Sequence, residues 1–244
     1  VFARALVIPS DGERTVQLIL SSDDPAGPSF RIVSRELPDA DQGAEEIDPQ
    51  GEWVVHSQGR FFSGEEAPGS SSGIENMFPD SAARERFIAS SHRRISGREF
   101  YDAMRAHRVD LGAQFRAIDS AWLGENDVLC RLKDRTQDSN ASSFPSEAVL
   151  LDACVQVMGG VHEYSRANTL IPTSVRRFRH NCHLDPQGGW CYIRFADLNE
   201  SGHTSLHADA WLIDDSDRLV AAFEDIRYEE VPQDALSHLL EQEE

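Results

Sequence analysis

Ala148-Val149-Leu150-Leu151-Asp152-Ala153-Cys154-Val155-Gln156-Val157-Met158 carries the strongest structural signal in the chain. Nine of these eleven residues are apolar and fall on every face of a helix, the pattern of a helix enclosed by other structure. Asp152 and Gln156 interrupt the run four residues apart, so they stand one above the other on one side. A carboxyl in apolar surroundings is costly as an anion, so its pKa rises and it persists as a neutral acid. That profile fits a general acid oriented by Gln156. The same pattern fits a helix side that reaches solvent, or a buried carboxylate that accepts from a backbone donor.

Pro145 and Ser146 open this helix and Gly159-Gly160 close it, which places it over about residues 146–160. Beyond it, residues 174–182, 190–197, 204–214 and 219–228 read as four strands, the last two joined by a turn at Asp214-Asp215-Ser216-Asp217. Before it, Ser96 and Glu99 form a capping-box pattern that starts a helix over 96–107. Residues 114–122 and 127–132 read as a strand pair around Gly124-Glu125-Asn126. Earlier still, residues 2–9, 14–22, 29–35 and 52–61 read as four antiparallel strands, with an acidic loop over 36–51.

These segments suggest a boundary at the Gly- and Ser-rich stretch that follows residue 62. The expected organisation is strands over 1–62, a linker over 63–95, a helix-and-strand unit over 96–232 and an acidic tail or linker over 233–244. Both halves hold four strands, but only the second has a buried helix ahead of them. If the halves are equivalent, the first lacks its helix and continues upstream of Val1. A sheet wrapped on one long helix is the hot-dog arrangement. The expected fold class is therefore α+β, a double hot dog with antiparallel sheets on central helices, the first hot dog incomplete at its N-terminus.

Composition narrows the function. With 23 basic and 42 acidic residues among 244, the chain is a poor match for nucleic acid or an anionic membrane surface. It contains no apolar run long enough to span a bilayer and no recognisable signal peptide, and its four cysteines lack disulfide-framework spacing, so a reducing cytoplasm is expected. Arg84, Arg86, Arg93 and Arg94 form the densest positive cluster, either a solvated face or a grip on a phosphate or partner. His180, Cys182, His183 and Cys191 match no common zinc spacing, and His203 and His207 read as surface histidines, so no metal is expected.

Leu150-Leu151-Asp152-Ala153-Cys154-Val155-Gln156 resembles the LLDAxxQ motif of dehydratase domains in modular type I polyketide synthases. Phe100-Tyr101-Asp102-Ala103-Met104 and Leu111-Gly112-Ala113-Gln114-Phe115 are similar to that family's FYxxL and YGPxF motifs. Ala5 to Pro9, Val16 to Leu18, Phe30 to Ser34 and Trp53 to Gly59 resemble the later strands of its first hot dog.

The resemblance implies loss of water from a β-hydroxyacyl thioester carried on the phosphopantetheine of an acyl carrier protein, with no cofactor bound to the domain itself. It implies Asp152 as catalytic acid with Gln156 in support, and a substrate tunnel near Leu111, Gly112, Phe115 and Leu151. Arg176, Arg177 and Arg179 become candidate contacts to the carrier or its phosphate. The implied partners are the carrier protein, neighbouring synthase domains and a second copy in a homodimer.

The family's base is the His of an HxxxGxxxxP motif, which this sequence does not contain; His56 lies in a strand that follows its place, so the base is expected upstream of Val1. The Tyr and Pro of YGPxF are here Leu111 and Ala113, and the family's His-Pro ahead of the acid is Glu147-Ala148. These departures imply the alternative of a catalytically inactive dehydratase-like domain that serves as scaffold or carrier-docking element. A hot-dog thioesterase, which also uses an acid on the central helix, is the more distant reading.

Overall fold

The computed structural model describes residues 1–8, 13–23, 25, 27–36, 53–62, 80–134, 145–161, 168–181, 188–196 and 205–232. The acidic loop expected over 36–51 (apart from Glu36), most of the linker, the tail from 233, and Cys182, His183 and His203 lie outside the described residues. The chain divides into two compact units, Val1–Ser71 with Asp234–Glu244, and Ser72–Gln233.

In the first unit, β1 (Arg14–Ser21), β2 (Ser29–Glu36) and β3 (Val54–Arg60) form an antiparallel sheet in that order. Phe30 faces Gly59 across the β2–β3 pair, and a Cβ on Gly59 would sit 2.5 Å from the Phe30 ring, so the ring lies over the glycine. The strand expected over 2–9 shrinks to a single bridge between Phe2 and Ser57. The ladder stops because the N–H groups of Ala3 and Arg4 both donate to the His56 carbonyl, at 2.8 and 3.4 Å. The His56 ring Nδ1 then donates to the carbonyls of Arg4 and Ala5, at 3.3 and 3.0 Å.

Along β1, Val16, Leu18 and Leu20 alternate onto one face and are 44%, 63% and 65% exposed.

Among the described residues, the second unit holds a seven-stranded antiparallel sheet and three α-helices: α1 (Ser81–Ser90), α2 (Gly97–Ala106) and α3 (Ser146–Gly160). Its strands are β4 (Arg93–Ser96), β5 (Ile118–Leu123), β6 (Asp127–Leu132), β7 (Asn168–His180), β8 (Gly189–Ala196), β9 (Ser205–Ile213) and β10 (Leu219–Pro232). They run in the order β4-β5-β6-β8-β9-β10-β7. The helix α2 starts as its sequence requires, with Ser96 and Glu99 forming a reciprocal capping box. Helix α1 and residues 93–95 of β4 fall within the stretch expected as linker, and β4 pairs with β5.

Two strands depart from expectation. The segment 113–115 folds into a 3-10 turn, with Phe115 N–H donating to Gly112 O at 2.9 Å, so β5 begins only at Ile118. Strand β7 begins at Asn168, six residues early, and runs through Pro172; as an edge strand it tolerates a residue with no N–H to donate.

The core lies between the sheet and α3. Val149, Leu150, Ala153, Cys154 and Val157 are fully buried, in one cluster with Cys130, Cys191, Ala210, Leu212, Ile226 and Tyr228 from the strands. Each fully buried Val, Leu or Ile side chain among them contributes about 1.5–3 kcal/mol.

Arg84 and Phe87 of α1 engage strand side chains: Phe87 meets Tyr192 edge-on at 6.2 Å, and Arg84, only 5% exposed, lies over the Trp190 ring and pairs with Asp217. Arg94 lies over Trp122. Two members of the basic cluster are thus engaged within the fold.

The turn between β9 and β10 is closed by Asp214, which accepts from Ser216 N–H and Arg218 N–H, both at 2.9 Å, and from Arg218 Nε at 2.8 Å. Burial raises its carboxyl pKa, but these hydrogen bonds outweigh burial and hold it below the usual value. Asp214→Ala is expected to destabilise the protein by about 1–3 kcal/mol in urea unfolding at neutral pH. Because the native pKa is the depressed one, this contribution is complete above the unfolded-state pKa and disappears as pH falls through the native value. The difference between wild type and Asp214→Ala should therefore shrink in acid.

Candidate active site

Helix α3 is open on one side. Gln156 is buried, whereas Ala148 and Asp152 are exposed and Val155 and Gly159 are half-buried, so one stripe of the helix escapes the core. This corrects the expectation of a helix enclosed all round with a buried carboxyl: its small and apolar residues fill every face, but only part of its circumference meets the sheet and α2. Even so, loss of water around Asp152 raises its carboxyl pKa, with a hydrogen bond from Gln156 opposing the shift.

Gln156 organises the site. Its Nε2 donates to Asp152 Oδ2 at 2.6 Å and to the Phe115 carbonyl at 3.2 Å. Its Oε1 accepts from the Tyr101 hydroxyl at 3.3 Å, and that hydroxyl accepts from Ile118 N–H at 2.9 Å. Residues of α2, the 3-10 turn, β5 and α3 are thereby tied into one network. Sequence shows Tyr101 only as a member of the FYxxL-like motif, because its link to Gln156 spans 55 residues and exists only once α2 packs on α3.

The remaining expected site residues divide into two groups. Leu111, Phe115 and Leu151 are partly buried against the core beside this network, and the Leu111 carbonyl accepts from Arg116 Nε at 2.8 Å. Gly112 starts the 3-10 turn that presents the Phe115 carbonyl to Gln156.

Arg176, Arg177 and Arg179 form a separate group on β7, all within 3.2–3.4 Å of Glu224, with Arg176 also 3.5 Å from Asp225. Arg177 and Glu224 are register partners next to Phe178 and Phe223, and Phe223 is in the core, so alternation puts Arg177 on the face away from α3.

Among the described residues, no cluster of three or more His, Cys, Asp or Glu is arranged to hold a metal. Cys130, Cys154 and Cys191 are buried free thiols, and burial pushes those of Cys130 and Cys191 toward the neutral form.

Residues 79–238 match the family described as the polyketide synthase dehydratase N-terminal domain. The chain belongs to that dehydratase family. Among solved structures, this dehydratase domain is similar to the dehydratase domain from the CurJ module of curacin polyketide synthase, at 25% identity and a TM-score of 0.71 over 96% of this chain and 74% of that one. The dehydratase domain from the CurK module has the same coverage at 18% identity and a TM-score of 0.68. A trans-AT polyketide synthase dehydratase domain from Brevibacillus brevis matches over 95% of this chain and 74% of its own, at 17% identity and a TM-score of 0.68. No curated protein matches the chain.

The α+β fold, with antiparallel sheets and few helices, is that of the double hot-dog dehydratase domains. Glu147, which the sequence resemblance aligns with a His of the family, is hydrogen-bonded to His180 at the end of β7. No helix among the described residues is long and apolar enough to cross a membrane.

Proposed function

We propose that this dehydratase domain is catalytically active, and that Asp152 is the acid that protonates the departing hydroxyl of a β-hydroxyacyl thioester on an acyl carrier protein. A histidine of the first hot dog removes the α-proton, the α,β double bond forms, and the hydroxyl leaves as water with the proton from Asp152, by syn or anti loss. The observation that carries this reading is the Asp152–Gln156 pair at 2.6 Å, in which the amide N–H favours the carboxylate left behind when the proton departs, while the partial loss of water around the carboxyl favours its acid form beforehand.

The base is assigned to sequence beyond this chain. His56 is 5% exposed; its Nδ1 donates to backbone carbonyls and its Nε2 meets Ser34 Oγ at 2.7 Å, so neither ring nitrogen is free for substrate. The first unit is then the later part of a first hot dog, and Val16, Leu18 and Leu20 are the face its missing helix would cover. The 74% coverage of the CurJ chain leaves room for such a segment.

The substrate is carried on phosphopantetheine and the domain needs no cofactor of its own. Arg176, the most exposed of the three arginines at 58%, is the best placed to meet the carrier, within a synthase module and a homodimer. Free buried thiols suit a reducing cytoplasm.

With Asp152 as acid, the dehydration rate of the intact synthase protein falls as pH rises through the raised Asp152 pKa, a limb absent from the residual rate of Asp152→Asn. A rate that keeps rising across that range in the wild type would count against this role. The scaffold reading is favoured by Leu111, Ala113 and the Glu147–His180 pair. It requires that Asp152→Asn leave the products of the synthase module unchanged.

A further inference from the structure

We propose that Tyr101 is a positioning residue that acts on Asp152 through Gln156, by fixing which end of the Gln156 amide faces the carboxyl. The inference rests on Asp152 being the acid. The geometry leaves the amide one orientation. The Phe115 carbonyl can only accept, so the group 3.2 Å from it must be the NH2. The Tyr101 hydroxyl already accepts the Ile118 N–H, so its single proton is directed at Gln156 Oε1. With Oε1 held at Tyr101, both amide hydrogens are assigned, one to Phe115 O and one to Asp152 Oδ2.

This orientation matters for the acid. An N–H facing Asp152 stabilises the carboxylate that appears as the proton leaves, whereas an amide oxygen in the same place would stabilise the protonated acid and repel the carboxylate. Tyr101 holds its proton at neutral pH as any phenol does, and burial, the first of the influences on it, raises its pKa further. The neighbouring groups that act on Tyr101 are the Cys130 thiol, Asp152 and Arg116, and the Arg116 guanidinium is held by the Leu111 carbonyl and Asp110. Tyr101 therefore contributes two bonds away from the reacting atoms, without touching substrate.

The test follows proton binding, so it stays informative whether or not the protein dehydrates a substrate. Carbon-13 NMR of labelled Asp carboxyls gives the titration midpoint of Asp152 in the wild type, Tyr101→Phe, Gln156→Leu and the double variant. The expected result is a higher midpoint in both single variants and a double variant equal to Gln156→Leu, because Tyr101 works only through the amide. A wild-type midpoint in Tyr101→Phe, or a further rise when it is added to Gln156→Leu, overturns the proposal. Should Tyr101→Phe fail to fold, the wild-type Gln156 carboxamide protons decide. Slow exchange with contacts to the Phe115 segment supports a fixed amide, and fast, averaged exchange refutes it.

Discussion

Asp152→Asn is expected to reduce dehydration by about 10²–10⁴-fold while leaving the fold intact, because proton donation by a positioned acid supplies a factor of that order. Asparagine has the shape of aspartic acid, and its carbonyl can still accept the Gln156 Nε2–H that now spans 2.6 Å. The side chain is exposed, so the substitution leaves no buried group unpaired at this position. Turnover of a β-hydroxyacyl carrier protein and urea unfolding, measured on the same preparation, separate the two effects. Near-wild-type turnover would remove Asp152 from the mechanism, and lost stability would make the kinetic result uninterpretable as chemistry.

Phe100→Ala is expected to have the largest effect on stability, about 3–5 kcal/mol in urea unfolding. Phe100 is fully buried where α2 meets α3: its ring sits edge-on to Tyr101 at 5.1 Å and covers Gly160 so closely that a Cβ there would be 2.2 Å from the ring. Removing it opens a cavity beside the Tyr101–Gln156 bond, so the loss extends from packing to the order of the site. Gly160→Val tests the same contact from the other side, because the added carbons have no space and α3 must shift away from α2. A loss near 1 kcal/mol for Phe100→Ala would mean that the two helices collapse onto the vacated volume.

The elements most legible in sequence are those with local punctuation. Helix α3 runs over the residues that Pro145 and the paired glycines delimit, and α2 starts at its capping box. Both signals act within a few residues, so the chain displays them before any packing is known. The dehydratase motifs likewise pointed to Asp152 and Gln156, which the fold ties together.

What escaped the sequence depends on distant partners. The 3-10 turn at 113–115 presents the Phe115 carbonyl to Gln156, 41 residues away, and nothing in Ala113-Gln114-Phe115 announces that role. The first expected strand stops at one bridge because the N–H groups of Ala3 and Arg4 share the His56 carbonyl and the His56 ring takes the carbonyls of Arg4 and Ala5. The exposure of Asp152 follows from how far the sheet and α2 wrap around α3, which periodicity on a helix rich in apolar residues does not encode. Arg84, expected either on a solvated face or in a grip on a phosphate or partner, is buried because Trp190 on a strand and Asp217 in a turn both meet it.

The most direct test of the central claim is mass spectrometry of a β-hydroxyacyl acyl carrier protein incubated with the intact synthase protein, wild type and Asp152→Asn. An active dehydratase whose acid is Asp152 converts the carrier to a species lighter by one water in the wild type and leaves it unchanged in the variant. A carrier that keeps its full mass with the folded wild-type protein, or loses water equally with both proteins, contradicts the account.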